Sequence, residues 1–243
     1  EDSIGMDDNN DDAVIIDKPL EITYEEPEEN KDEINEESTQ NRNFKYLDDL
    51  IHSGVKEIVL DSDIVLDDGE ESEYEKGIKL DVDDLVIDGN GFIIDAQEKA
   101  RIFFCTGKNI VLKNITLKNG NTKDNGGAIH NRGELTVSDS TLQKNTAKDN
   151  GGAIHNGKYG ELTITESTLT GNTAQNGGAI CNKNDTFYST GAIITITEST
   201  IKENSAEENG GAIYNENYEV LTSRMAIITI TESTIKENSA EEN

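Results

Sequence analysis

Stepping along the chain by its internal repeat places Cys105, His130, His155, Cys181 and Tyr214 in one column. Thiol, imidazole, imidazole and thiol are zinc-ligand types, and neighbours on successive turns of a stacked chain could converge on one ion. Three features oppose a zinc site. Stacked turns lie ~4.8 Å apart, so the four groups spread over roughly 14 Å. Tyr214 fills the same position with a side chain of another kind. The column alternates with Ile129 and Ile154, which puts it on the solvent side of its strand. No metal and no cofactor is therefore expected. The same spacing sets Cys105 and Cys181 three turns apart, beyond the ~7 Å that a disulfide permits between Cα atoms. Two free thiols are expected, against the usual arithmetic for an even pair in an exported chain.

Carboxylates dominate the remaining chemistry. The 243 residues carry 50 acidic and 21 basic side chains, a formal charge of -29. Asp139, Glu166, Glu198 and Glu232 recur as one ladder, and Asp124 and Asp149 as another. Stacked carboxylates are hard ligands suited to calcium. Like charges ~5 Å apart in water repel by only about 1 kcal/mol, so a solvated face needs no ion. General acid–base chemistry needs carboxylates gathered with Arg or Lys in one groove. Only Arg42, Arg101, Arg132 and Arg224 are available, and the acids follow the repeat rather than breaking it. No catalytic residue is expected. The charge also excludes nucleic acid, which needs Lys/Arg patches, and an anionic membrane surface. No apolar run approaches the ~20 residues of a membrane helix, so no membrane insertion is expected of this segment.

Other candidates are weaker. Thr163/Thr165, Thr195/Thr197 and Thr229/Thr231 form an outward Thr-X-Thr array of the kind seen on ice-binding β-helices. Threonine is also an ordinary exposed strand residue. Asn114-Ile115-Thr116 and Asn184-Asp185-Thr186 match the glycosylation acceptor pattern. The aromatic residues Phe187, Tyr188 and Tyr218 fall in extra segments of the repeat and are the candidate binding residues.

The elements that must carry these residues follow from Asn125-Gly126-Gly127-Ala128-Ile129-His130-Asn131. The motif returns at Asn150–Asn156, Asn176–Asn182 and Asn209–Asn215, with steps of 25, 26 and 33 residues between Gly-Gly pairs. A fixed period in this range is the mark of a stacked repeat. Leu85, Ile110, Leu135, Leu162, Ile194 and Ile228 make one apolar column. Ile87, Leu112, Val137, Ile164, Ile196 and Ile230 make a second, and Phe92, Leu117, Leu142, Leu169, Ile201 and Ile235 a third. Alternation within each piece reads as short strands with one face inward. Coils near 25 residues with three short strands and no helix between them predict an all-β fold, a right-handed parallel β-helix. With 33% hydrophobic residues and no Trp, a single large core would be poorly filled, whereas a solenoid needs one thin apolar stripe per coil. Growth of the repeat is confined to Asn156–Gly160, Asn182–Gly191 and Asn215–Met225, as expected where one corner projects into solvent. Asn145, Asn172, Asn204 and Asn238, and Asn131, Asn156, Asn182 and Asn215, are placed to bond amide to amide along the stack. The Gly-Gly pairs mark a positive-φ or crowded turn.

Residues 1–43 hold 16 acidic and 3 basic side chains and both prolines, which predicts a disordered acidic leader or linker. Phe44, Leu47, Leu50 and Ile51 follow at helical spacing, between Asn43 as N-cap and Gly54. A short amphipathic helix over 44–54 is expected to cap the first coil, with β-helix repeats over 55–243. A charged insertion, residues 67–76, separates two early strands. Residues 192–209 and 226–243 are identical, and Asn243 falls where Gly-Gly should follow, so the repeat is expected to continue beyond it.

Gly-Gly-Ala-Ile with a second Leu/Ile-X-X-Asn motif (Leu142–Asn145, Leu169–Asn172, Ile201–Asn204) resembles the chlamydial polymorphic outer-membrane protein repeat, which has Phe where this chain has Leu or Ile. The fuller pattern is similar to the adhesin-like surface proteins of methanogenic archaea. It joins a leader helix, Ile-Asp-Gly-Asn-Gly at 87–91, Leu-Lys-Asn-Ile-Thr-Leu-Lys-Asn at 112–119 and the Gly-Gly-Ala-Ile units. The resemblance covers about residues 44–243. It implies an exported β-helix of the pectate-lyase-like kind, extracellular at a cell surface or wall. It further implies a non-enzymatic role, in adhesion to glycans or to surface proteins of other cells or as a stalk. The alternative is a carbohydrate-active β-helix enzyme, a polysaccharide lyase or hydrolase.

Overall fold

The computed structural model describes residues 42–184, 191–217 and 225–241. They form a right-handed parallel β-helix capped by one helix, Phe44–Ile51. Every strand pairs with the equivalent strand of the next coil, and all pairings are parallel. Sheet 1 has seven strands, from Glu57–Val59 to Ile227–Thr231, and sheet 2 has seven, from Ile64–Val65 to Thr234–Lys236. Sheet 4 has six, from Ile78–Leu80 to Ile213–Asn217. Between sheets 2 and 4 runs a fourth wall, sheet 3, with five strands from Asn121–Thr122 to Ser239–Ala240. Three strands per coil were expected. The extra strands escape an apolar pattern because their inward residue is only an alanine: Ala147, Ala174 and Ala206 are buried between polar neighbours.

The first two apolar columns stack as the repeat predicts. Leu135 pairs with Ile110 and Leu162, and Val137 with Leu112 and Ile164. The third column differs at its start. Ile94, not Phe92, pairs with Leu117, and Ile64 pairs with Ile94. The corner after Asp88 is two residues longer than the corner after Lys113, since it turns through both Asn90 and Gly91 at positive φ where the next coil uses Asn114 alone. Ile58, Ile87, Leu112, Val137, Ile164 and Ile196 are each under 5% exposed, and a fully buried side chain of this size contributes about 1.5–3 kcal/mol.

Polar ladders finish the interior. Asn131 Nδ2 donates to Asn156 Oδ1, Asn156 to Asn182 and Asn182 to Asn215, at 2.8, 2.9 and 2.8 Å. The Asn145, Asn172, Asn204 and Asn238 amides chain in the same way, and the last three side-chain oxygens also accept the backbone N–H of the preceding coil's asparagine. A buried polar group without such a partner would cost about 1–3 kcal/mol. The Gly-Gly pair divides its labour. Gly126, Gly151, Gly177 and Gly210 take positive φ, while Gly127, Gly152 and Gly178 lie where a Cβ would overlap the next coil's backbone.

At the N-terminal end Asn43 Oδ1 accepts the Tyr46 amide, and Phe44, Leu47 and Ile51 face inward with no exposure. The charged insertion takes part in this cap. Tyr74 is 3% exposed, meets Phe44 edge-to-face at 5.8 Å and donates its hydroxyl to Asp48 at 3.2 Å.

Candidate functional site

The middle residues of sheet 4 point away from the core, and in rank order they are Lys79, Phe104, His130, His155, Cys181 and Tyr214. Cys105 is not among them. It pairs with Asn131 and heads the asparagine column. From Cys105 to Ile110 the chain takes one residue more than from Asn131 to Leu135, although Ile110 and Leu135 are in register. A constant 25-residue step therefore falls one residue short in sheet 4, where Phe104 pairs with His130. The thiols still lie three ranks apart, and both are buried and outside any disulfide. Burial pushes the Cys105 thiol up to about 12, although the Gly107 amide bond pulls the other way.

The imidazoles do not face solvent, as simple alternation predicted. His130 is 4% and His155 1% exposed. The corner that follows His155 lies against both rings: a Cβ on Gly157 would lie 3.2 Å from His155 Nε2 and 3.5 Å from His130 Nε2. Phe104, His130 and His155 stack edge-to-face with centroids 5.3 and 4.9 Å apart. Burial, with His155, Arg101 and Arg132 nearby, pushes His130 down to about 2. Burial, with Lys183, Arg132 and Arg101, pushes His155 down to about 3. Both rings are neutral near pH 7, so neither supplies a general acid there. Arg132 Nε donates to His130 Nε2 at 3.2 Å, which places a cation on the lone pair a metal would need. His155 Nδ1 is buried without a hydrogen-bond partner. Among the described residues no group of three or more His, Cys, Asp or Glu side chains is placed to hold an ion.

In front of Phe104 and His130 opens a cleft of about 450 Å³. It is lined by Thr122, Lys123 and Asp124, by Glu75 and Lys76 of the insertion, and by Arg101 and Arg132. Arg101 stands two residues before Phe103, where later coils carry Gly127, Gly152, Gly178 and Gly211 two residues before their isoleucines. It is 3% exposed. Its Nε reaches the Asn125 and Gly126 carbonyls at 3.2 and 3.0 Å, Nη1 the Lys76 carbonyl at 3.0 Å, and Nη2 the Asn125 carbonyl at 2.7 Å. Asp124 lies 3.8 Å away. Arg101 thus ties the insertion to the first Gly-Gly turn. Burial lowers its pKa, Asp124 opposes that and Arg132 adds to it.

This groove corrects the expectation that no break in the repeat gathers acids with bases. Glu75 and Asp124 meet Arg101 and Arg132 around His130. The signal was present in the sequence, in an arginine at a glycine position. It was missed because the first coil lacks the Gly-Gly pair that would have revealed the alignment.

The acid ladder sits at a corner of the coil. Asp139, Glu166, Glu198 and Glu232 all take φ between 48° and 51° at the corner from sheet 1 to sheet 2. The Thr-X-Thr ranks stack in register on the outer face of sheet 1, partly exposed in the inner coils. Phe187, Tyr188 and Tyr218 lie outside the described residues, as does Thr186 of the second acceptor pattern. Their flanks are described. The strands Ile180–Asn184 and Ile213–Asn217 pair over five residues and end in a Lys183–Glu216 ion pair at 2.7 Å. The two longest insertions therefore leave neighbouring coils side by side at the corner from sheet 4 to sheet 1.

Residues 139–157, 166–183 and 198–216 match the Chlamydia polymorphic membrane protein repeat family. Each matched segment starts on a left-handed corner residue of the acid column and runs through sheets 2 and 3 into sheet 4. Together they cover less than a quarter of the chain. No curated protein and no solved structure matches it. No helix among the described residues is long and apolar enough to cross a membrane.

Proposed function

We propose that the chain is a non-enzymatic repeat protein of the cell surface, in which a rigid β-helix holds adhesive loops at one corner. One observation carries the reading. Three ladders of side chains and four sheets tie successive coils together, while the additions after Asn182 and Asn215 both leave through the corner between sheets 4 and 1. Such a scaffold positions two long neighbouring loops at little ordering cost to itself. The similarity of three segments to a polymorphic membrane protein repeat supports an extracellular, surface-exposed setting. Glycans or cell-surface proteins are the partners, contacted by Phe187, Tyr188 and Tyr218. The finer resemblance, to adhesin-like proteins of methanogenic archaea, belongs to the same reading.

A carbohydrate-active enzyme is the second reading, and the cleft before His130 is the observation in its favour. Against it, His130 is a neutral acceptor from Arg132, and Arg101 spends its donors on backbone carbonyls. Binding of the intact chain to a glycan array and to whole cells tests both readings. A partner chain with residues 185–190 and 218–224 replaced by Gly-Ser should lose binding by tenfold or more. Equal binding of the two chains would remove the loops from the adhesive role. Cleavage of an arrayed polysaccharide would favour the enzyme.

A further inference from the structure

We propose that the cleft before Phe104 and His130 binds a carboxylate-bearing sugar, at a site separate from the corner loops. The inference rests on the reading of the protein as a glycan binder and names a ligand class for it. Lys76, Lys123 and Arg132 all line this cleft, and none enters an ion pair among the described residues. The cleft thus gathers three cations that no direct ion pair neutralises among the described residues.

Arg132 is already oriented. Its Nε is held by His130 at 3.2 Å and its Cζ lies 5.8 Å from the Phe104 centroid. Both Nη groups remain without a described partner, in the fork geometry that takes a carboxylate through two hydrogen bonds. Holding the side chain in place beforehand removes part of the ordering cost of binding. A neutral His130 can accept from Arg132 without adding a competing charge.

The acceptors in the same cleft narrow the ligand. Glu75, Asp124 and Thr122 Oγ1 also line it, and Asn125 Nδ2 already bonds Asp124 Oδ1 at 2.6 Å. Two carboxylates would repel a bare sulfate or phosphate. They would accept hydrogen bonds from sugar hydroxyls. A sugar acid meets both kinds of lining group, its carboxylate at Arg132 and its hydroxyls at Glu75 and Asp124, with an apolar ring face toward Phe104. The cavity volume falls in the range of small-ligand clefts. A second cleft of about 230 Å³ shares Glu75, Thr122 and Lys123 and extends past Asn121 and Glu98, which leaves room for a second ring. The charge of the whole chain opposes an anion, but at physiological salt it is screened beyond ~8 Å, and the cleft cations act within contact distance.

Calorimetric titration of the full chain with a galacturonate disaccharide, the matching neutral galactose disaccharide and inorganic sulfate tests the assignment. The uronate should bind, and the neutral sugar and sulfate should bind at least about tenfold more weakly. Arg132→Gln should weaken the uronate by about tenfold or more, and Lys123→Gln should weaken it in the same direction. Arg132 is exposed, and an unchanged melting temperature will certify that its variant is folded. The chain with replaced loops should keep uronate binding. If uronate does not bind, or binds the Arg132→Gln chain equally well, the site is overturned. Equal binding of sulfate would overturn the sugar. Loss of uronate binding with the loops would move the site there. Uronate binding that survives while glycan and cell adhesion fail would reject the adhesive-loop reading and leave the cleft standing.

Discussion

Left-handed residues set the corners of every coil. Asn114, Asp139, Glu166, Glu198 and Glu232 turn the chain from sheet 1 to sheet 2, and Asn119, Lys144, Gly171, Glu203 and Glu237 turn it after sheet 2. An L-residue in this region costs about 1–2 kcal/mol, so each corner is tolerable because the stack around it holds it. Glycines differ by what surrounds them. Gly171 has φ 63° and only the Lys144 Cγ, at 3.9 Å, near a future Cβ. Gly127 sits against the Gly152 and Thr146 carbonyls. Gly171→Asn should therefore shift stability by no more than about 1 kcal/mol, whereas Gly127→Ala should lose about 3 kcal/mol or more, because backbone must move. Urea melts of the two variants decide it, and a Gly127→Ala chain as stable as the parent would refute the crowding argument. The asparagine ladders could be read from spacing because Asn recurs with no competing explanation. The serine ladder could not. Ser140, Ser167 and Ser199 resemble solvated turn residues, yet they are 2–4% exposed and their hydroxyls accept amides from the coil before.

At the scale of elements, the capping helix shows how much a short segment borrows. Eight residues are too few for a stable helix in water. This one is held by its apolar face, its Asn43 cap, and Tyr74 reaching back from the insertion. The apolar spacing of the helix was legible. The role of Tyr74 was not, since one aromatic residue within a charged run carries no periodicity. At the helix end His52 lies 3.0 Å from both the Asp48 and Asp81 carboxylates. Burial alone pulls this imidazole down, but the Asp48 carbonyl and the two carboxylates outweigh it and raise its pKa above the ordinary 6.5. The folded state thus prefers the protonated ring. Its stabilisation is fully present below about pH 6.5 and is lost as pH rises through the folded value. Helix amides, corrected for intrinsic exchange, should be better protected at pH 5.5 than at pH 8, and His52→Gln should remove the difference. Protection that is independent of pH in the parent chain would reject this coupling.

For the molecule as a whole, stability accumulates coil by coil, because each coil touches only its neighbours. The number of walls was misjudged from sequence because an alanine buries too little to mark a strand. The order of the coils from Leu85 onward was legible, because Leu and Ile recur there in the first two columns, whereas the first rank, Glu57–Val59 and Ile64–Val65, lay outside those columns. The groove was hidden for the opposite reason: it lies where the repeat is broken, and a periodic reading is blind there. Residues 192–209 and 226–243 are identical, and the structure pairs them in register, Ile193 with Ile227 through Thr197 with Thr231, then Ile201 with Ile235 and Ala206 with Ala240. Residues 192–225 are thus one complete coil whose start is also the surface on which the next coil lies. A further copy of 192–225 inserted after Met225 would present the same strands, the same Ser199 and Asn204 rungs and the same Gly210-Gly211 turn to both neighbours. It should extend the stack without a change of register. Since the urea dependence of unfolding scales with the surface exposed, the m-value should rise by roughly a sixth, within a single transition. An unchanged m-value, or a separate early transition belonging to the added residues, would mean that coils with identical sequence are not energetically equivalent.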